Sequence, residues 1–169
     1  MNKNDILRRL RYALNYNDAQ MLAVFALAEK PIPREKLLQW YQREDQPDFL
    51  EMEDRELAAF LNGLITQKRG KKEGPAPTPE RKLSHNLILR KLKIAFNWQA
   101  EDMLDIWALA GYKLSKHELS GFFRQPEHRN YRTCQDQVLR NFLHGLQVKL
   151  RPEDILPPDD DDDLSHTDK

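Results

Sequence analysis

Slid against itself by 82 positions without a gap, this sequence lays residues 4–68 on residues 86–150. Asn4, Ile6, Leu7, Arg8, Leu10, Ala13 and Asn15 meet Asn86, Ile88, Leu89, Arg90, Leu92, Ala95 and Asn97. Further on, Met21, Leu22, Ala26, Leu27 and Ala28 meet Met103, Leu104, Ala108, Leu109 and Ala110. Near the end, Asp54, Leu57, Phe60, Leu61, Gly63 and Leu64 meet Asp136, Leu139, Phe142, Leu143, Gly145 and Leu146. Roughly three positions in ten are identical, mostly apolar or capping, as expected of stacked copies of one structural unit. Whatever fold this chain adopts, it must be built twice.

Inside each copy the apolar spacing is helical, and nothing reads as a strand of any length. Ile6, Leu7, Leu10, Ala13 and Leu14 line one side of a first helix at i, i+3, i+4 spacing, with Asn4 as its N-cap and Asn15 closing it in a left-handed conformation. A second segment, residues 19–28, is apolar on nearly every side and is expected to be the most buried. The third opens near Pro33 in one copy and with the capping box Ser115-Lys116-His117-Glu118 in the other. It carries the aromatic anchors Trp40 and Tyr41, or Phe122 and Phe123. The fourth follows Asp54 or Asp136 as N-cap. The expected core is Leu10, Leu22, Phe25, Trp40, Phe60 and Leu61, with Leu92, Leu104, Trp107, Phe122, Phe142 and Leu143 in the second copy. Gly63 and Gly145 fall mid-helix, where glycine costs about 1 kcal/mol against alanine, so another helix is expected to approach closely there.

The chain therefore reads as all-α, with a four-helix repeat over 1–68, a linker over 69–84, a second repeat over 85–151 and an acidic tail over 152–169. Pro75, Pro77 and Pro79 in the linker favour an extended spacer, which allows docked copies or two beads on a string. The formal net charge of zero conceals a strong asymmetry. Residues 1–82 carry 15 Lys and Arg against 13 Asp and Glu, residues 83–151 carry 11 against 6, and residues 152–169 carry 1 against 8. The tail, with Asp159 to Asp163 and few apolar residues, is expected to be disordered. Tethered to a cationic body, it could compete with a phosphate polymer or serve only solubility. A single cysteine cannot form an internal disulfide, and no apolar run is long enough for a membrane span, so a cytoplasmic setting is expected.

Several of these stretches resemble one known family. The opening Asn4-Asp5-Ile6-Leu7-Arg8-Arg9-Leu10-Arg11-Tyr12-Ala13-Leu14 is one, and Glu44-Asp45 before Pro47 and Phe49 is another. The close Phe60-Leu61-Asn62-Gly63-Leu64-Ile65 with Arg69-Gly70, and His128-Arg129-Asn130-Tyr131-Arg132 with Asp136-Gln137, complete the set. Together they resemble the YehS-like family of small bacterial proteins of unknown function. The resemblance implies a cytosolic bacterial setting and tandem copies of one helical domain, and it implies no reaction.

The candidate sites follow from charge. Arg8, Arg9 and Arg11 on the first helix recur as Arg90, Lys91 and Lys93, giving two basic stripes suited to a phosphate backbone. Lys68, Arg69, Lys71, Lys72, Arg81 and Lys82 extend the positive charge into the linker. A solvated helix face is the plainer reading of such stripes. His128, Arg129, Asn130 and Arg132 form a polar loop able to engage phosphate and bases, while Asp136 and Tyr131 read as structural. The matching loop of the first copy is acidic, with Glu44, Asp45, Asp48, Glu51 and Glu53, so the copies have diverged in charge at one site, and a division of labour between them is expected. The second and third helices outline a helix-turn-helix around Gly111, with His117, Ser120 and Trp107 poorly placed for one.

Cys134 near His128 or His144 could be drawn as a thiol and base, but Met52 at the matched position argues for a soft apolar slot. The five histidines show no metal-ligand spacing, and no glycine-rich phosphate loop or nucleophile elbow appears. The reading that results is a non-enzymatic regulatory or adaptor protein with no cofactor and no metal. It binds nucleic acid, RNA rather than a specific DNA operator, through the basic faces and the 128–132 loop. A protein–protein adaptor is the alternative, and a small hydrolase or transferase the minor one.

Overall fold

The computed structural model describes residues 1–152, and among these every regular element is a helix. They are α1 (Lys3–Leu14), α2 (Asp18–Leu27), α3 (Arg34–Tyr41), α4 (Asp54–Arg69), α5 (His85–Phe96), α6 (Ala100–Leu109), α7 (Lys116–Phe122) and α8 (Asp136–Leu150). The 82-residue offset carries α1–α4 onto α5–α8, so the chain is two tandem copies of one four-helix unit. The acidic segment expected to be disordered lies, from residue 153 onward, outside the described residues.

Local chemistry sets the ends of these helices. Asn15 and Asn97 close α1 and α5 at φ of 58° and 55°, the left-handed region that asparagine tolerates. Ser115 and Glu118 form the expected capping box of α7. Two expected caps are corrected. Helix α1 is capped two residues earlier, with Asn2 and Asp5 as its box, so Asn4 sits inside the helix and turns inward. Its amide donates to the carbonyls of Trp40 and Leu50 at 2.9 Å each, and its Oδ1 accepts from the amide of Met52 at 2.9 Å. Asn86 repeats the arrangement with Phe122, Arg132 and Cys134 at 3.1, 2.7 and 2.9 Å. A buried asparagine thus fastens the loop before the fourth helix in each copy. The second correction is that Glu53 and Gln135 occupy the N-cap positions, which places Asp54 and Asp136 in the first turn with carboxylates free for other work.

Burial is greatest in α1, α4, α5 and α8, not in α2 and α6. Every residue of α4 from Leu57 to Leu64 is buried, because that helix lies between α2 of its own copy and α5 of the other. Helix α8 is placed likewise between α6 and α1. Helices α2 and α6 are flanked on fewer sides, which leaves Leu22 and Leu104 half-buried and Leu27 and Leu109 42% and 47% exposed. The other ten expected core residues are all buried. The two mid-helix glycines sit against α2 and α6: a Cβ on Gly63 would lie 2.0 Å from the carbonyl oxygen of Val24, and one on Gly145 1.9 Å from that of Ile106. Helix crossing this close requires glycine.

The copies dock by exchange. Helix α1 packs on α8, and α4 packs on α5, so the first helix of each copy lies against the fourth of the other. An operation that exchanges the two copies in both directions is an approximate half-turn. The contacts at the ends obey it. The Met1 ammonium reaches Asp136 at 2.9 Å while the matched Leu83 amide donates to Asp54 at 2.8 Å. At the far end Arg151 donates to the Tyr12 carbonyl at 3.0 Å and Arg69 to the Ile94 carbonyl at 3.3 Å. Both pairs therefore run parallel, and the Lys3–Asp54 and Tyr16–Gln67 contacts align α1 with α4 in the same sense. Four positive helix ends meet on one side, where Asp5, Asp54, Glu56 and Asp136 stand. The opposite end carries Arg11, Lys68, Arg69, Lys93 and Lys149, complementing the aligned dipoles.

Helix α4 runs through Arg69, so the connection is residues 70–84. It is a wall of the molecule, not a free spacer: Leu83 is buried, and Glu80 pairs with Lys91 at 3.1 Å.

Candidate nucleic-acid interface

The sequence-marked basic residues separate into two kinds once the helices are in place. Arg9 and Lys91 face the interior, 6% and 8% exposed, which corrects their assignment to the outer stripes. Lys91 Nζ donates to Asn62 Oδ1 at 2.6 Å and pairs with Glu80, so its charge is spent on holding α5 to α4 and the linker. Periodicity could have flagged both, since Arg9 and Lys91 each directly precede a core leucine and follow the polar Arg8 or Arg90 by one position.

Arg8 and Arg90 hold matched structural posts. Arg8 pairs with Asp5 and donates to the Tyr41 carbonyl at 3.4 Å. Arg90 donates to the Phe123 carbonyl at 2.6 Å. Each arginine thereby satisfies a carbonyl at the C-terminal end of the third helix of its copy. Arg11 lies 5.5 Å over the Tyr41 ring, and Arg90 and Lys93 lie 5.7 and 5.8 Å over Phe123. The half-turn places the two stripes on opposite sides of the central helices.

The second copy brings its two basic segments together. Phe123, gripped by Arg90 and Lys93, leads directly into Arg124 and the 125–132 loop. Two successive turns form that loop, with the His128 amide donating to the Gln125 carbonyl and the Tyr131 amide to that of His128, both at 2.9 Å. His128 Nδ1 accepts from the Asn130 amide at 3.0 Å, fixing its ring. The Arg132 amide then donates to the Gly121 carbonyl at 3.0 Å, bringing the end of the loop back beside α7. His128, Arg129, Asn130 and Arg132 are all exposed, as is Glu127, and the stem of Arg132 lies beside Gly121, two residues before the Phe123 that Arg90 and Lys93 grip. Arg124, which periodicity does not mark, joins them; the only signal for it was the change from Gln42 at the matched position. The first copy makes the same turns from Arg43 to Phe49, but displays Glu44, Asp45, Asp48 and Glu51 on them.

Titration behaviour reflects local burial. The Cys134 thiol is pushed up to about 12, first by burial and then by the nearby Asp136 carboxylate, so it is protonated at neutral pH. It fills the same buried slot as Met52. His85 lies between the Cys134 carbonyl, 3.2 Å from Nδ1, and Asp136, 3.4 Å from Nε2. Burial lowers its pKa against the opposing pull of Asp136, and Lys3 and the chain's ammonium add to the lowering. Asp136 is held below the usual carboxylate range, mainly by its hydrogen bond from the Met1 ammonium. No group of three or more His, Cys, Asp or Glu side chains among the described residues could hold a metal ion. No helix among them is long and apolar enough to cross a membrane.

Comparison with known proteins agrees with the doubled architecture. Residues 3–70 and 85–151 each match the family described as "Protein of unknown function (DUF1456)". The chain is similar to "Uncharacterized protein YehS" of Escherichia coli (strain K12), with 41% identity over 150 residues that cover 88% of this chain and 96% of that protein. No solved structure matches. Two matched segments, coincident with the two helical copies, make the chain a member of the DUF1456 family.

Proposed function

We propose that this is a non-enzymatic nucleic-acid-binding protein whose contact surface is the basic edge of the second copy. The observation that carries the reading is that Arg90 and Lys93 grip Phe123 at the head of an exposed loop carrying Arg124, Arg129 and Arg132 with His128 and Asn130 and the single carboxylate Glu127, where the first copy displays four carboxylates. Guanidinium groups bind phosphates bidentately, and an exposed amide and imidazole supply base contacts suited to unstacked RNA. Helix α7 has two turns, which offers little to a DNA major groove and favours RNA over a specific DNA operator.

The test is fluorescence anisotropy of a labelled single-stranded RNA, compared with duplex DNA of equal length, over a series of salt concentrations. The wild-type affinity should fall steeply with salt. The triple variant Lys93→Glu, Arg129→Glu, Arg132→Glu should bind at least about tenfold more weakly, with a salt slope shallower by about 0.7 for each phosphate that the variant no longer neutralises. Arg43→Glu, on the matched loop of the first copy, should leave binding unchanged. Equal affinity of the triple variant and wild type would refute the assignment. A protein–protein adaptor is the second reading, favoured by the exposed Leu27 and Leu109 at matched positions, and it gains if RNA binding is absent at low salt.

A further inference from the structure

A cleft of about 450 Å³ opens in the first copy between α2, α3, α4 and the linker. Its floor is the buried pair Phe25 and Trp40, with ring centroids 5.6 Å apart. The indole N–H of Trp40 is buried there with no acceptor among the described residues. Pro31, Ile32, Ala59 and, from the linker, Pro79 form apolar walls. Around these stand Lys30, Lys36, Arg55 and Arg81, against the single carboxylate of Glu56.

That carboxylate is already occupied. Glu56 pairs with Lys36 at 2.7 Å and accepts from the Glu53 amide at 2.8 Å, closing the N-terminus of α4. Arg55 leans on the exposed Glu53 at 3.3 Å, a contact that solvent weakens. Lys30 and Arg81 make no ion pair with any described residue. Three cations thus surround a small apolar slot that holds one carboxylate, already neutralised by a fourth cation. Such a cleft is matched by a ligand with a compact dianion at one end and a flat apolar body at the other.

The second copy shows that the fold does not demand these residues. At the positions of Lys30, Lys36, Arg55 and Glu56 it has Tyr112, Glu118, Gln137 and Val138, on the same backbone. The anchor is also inverted. Trp107 stands at the position of Phe25, and its indole N–H is satisfied by the Val138 carbonyl at 2.9 Å. The cationic set and the unmatched indole donor therefore belong to the first copy alone, together with the linker that follows it.

We propose that this cleft binds an organic phosphate of the nucleotide class, with its phosphate on Lys30, Arg55 and Arg81 and its planar base against Pro31, Ile32 and Pro79. The site shares no residue with the second-copy edge, so each stands or falls without the other. The shared chemistry is a nucleoside 5′-phosphate, whether a free mononucleotide or the 5′ end of a nucleic-acid strand.

Isothermal titration of the full chain with AMP, GMP, CMP and UMP tests the proposal, with adenosine, inorganic phosphate and a 5′-phosphorylated dinucleotide as further arms. At least one mononucleotide should saturate a single site, and its nucleoside and inorganic phosphate should each bind at least about tenfold more weakly. Lys30→Ala and Arg81→Ala, both on the surface and outside the core, should each weaken mononucleotide binding about tenfold. Lys113→Ala, on the matched wall of the second copy, should have no effect. Tighter binding of the dinucleotide assigns the site to a strand end, and equal or weaker binding assigns it to the free nucleotide. Absence of saturation by all four mononucleotides, equal affinity for inorganic phosphate, or wild-type binding by both variants would overturn the proposal.

Discussion

Gly63 and Gly145 show how one missing carbon positions whole helices. Helix propensity alone makes Gly→Ala stabilising by about 1 kcal/mol at an exposed helical position. Here the new Cβ would sit 2.0 or 1.9 Å from a carbonyl oxygen of the crossing helix, and backbone cannot yield as a flexible side chain can. Gly63→Ala and Gly145→Ala should therefore each destabilise the protein by at least about 2 kcal/mol in urea melts. Stabilisation by either substitution would mean that the helices do not cross there. The glycines were legible in the sequence as a pair in helical context. The carbonyls they accommodate were not, since those belong to residues about 40 positions away.

Among the elements, the loops before α4 and α8 owe their position to one side chain each. Asn86 satisfies two carbonyls and one amide inside the protein, and truncating it leaves three backbone groups without that partner. Asn86→Ala should cost about 2 to 4 kcal/mol and speed amide exchange at Cys134, with Asn4→Ala doing the same at Met52. Unchanged exchange at both amides would show that the loops are held by something else. The loop also carries the candidate interface, so Asn86→Ala should loosen the edge that presents Arg129 and Arg132. An asparagine repeated near the start of a predicted helix reads as a cap from sequence, because asparagine caps helices far more often than it fills their inner face. The inward role depends on a loop some 46 residues downstream coming close enough to be bound, which local sequence does not encode.

Across the full chain, the exchange of first and fourth helices makes the copies interdependent. A copy cut away would expose the faces of α1 and α4 that now lie on α8 and α5, and a unit of about 65 residues has little core to spare. The full chain should unfold in one cooperative transition, reported identically by Trp40 and by Trp107 in variants in which each is the sole tryptophan, Trp98 being replaced in both. A fragment of residues 1–70 should self-associate or fail to fold, since a second copy of itself can supply the missing helices in the same half-turn arrangement. Two separated transitions, or a stable folded monomer of that fragment by sedimentation, would contradict this interdependence. The doubling, the eight helices of the described residues, most of the core and the concentration of positive charge in the second copy all follow from the order of residues, because helical periodicity and a gapless repeat are local patterns. Tertiary packing was needed to interlock the copies, to turn Arg9 and Lys91 inward, to make the first and fourth helices of each copy rather than α2 and α6 the most buried, and to close a cleft with the linker. These outcomes depend on which helix faces meet, and two similar units with apolar surface to bury leave that choice to the packing of one copy against the other.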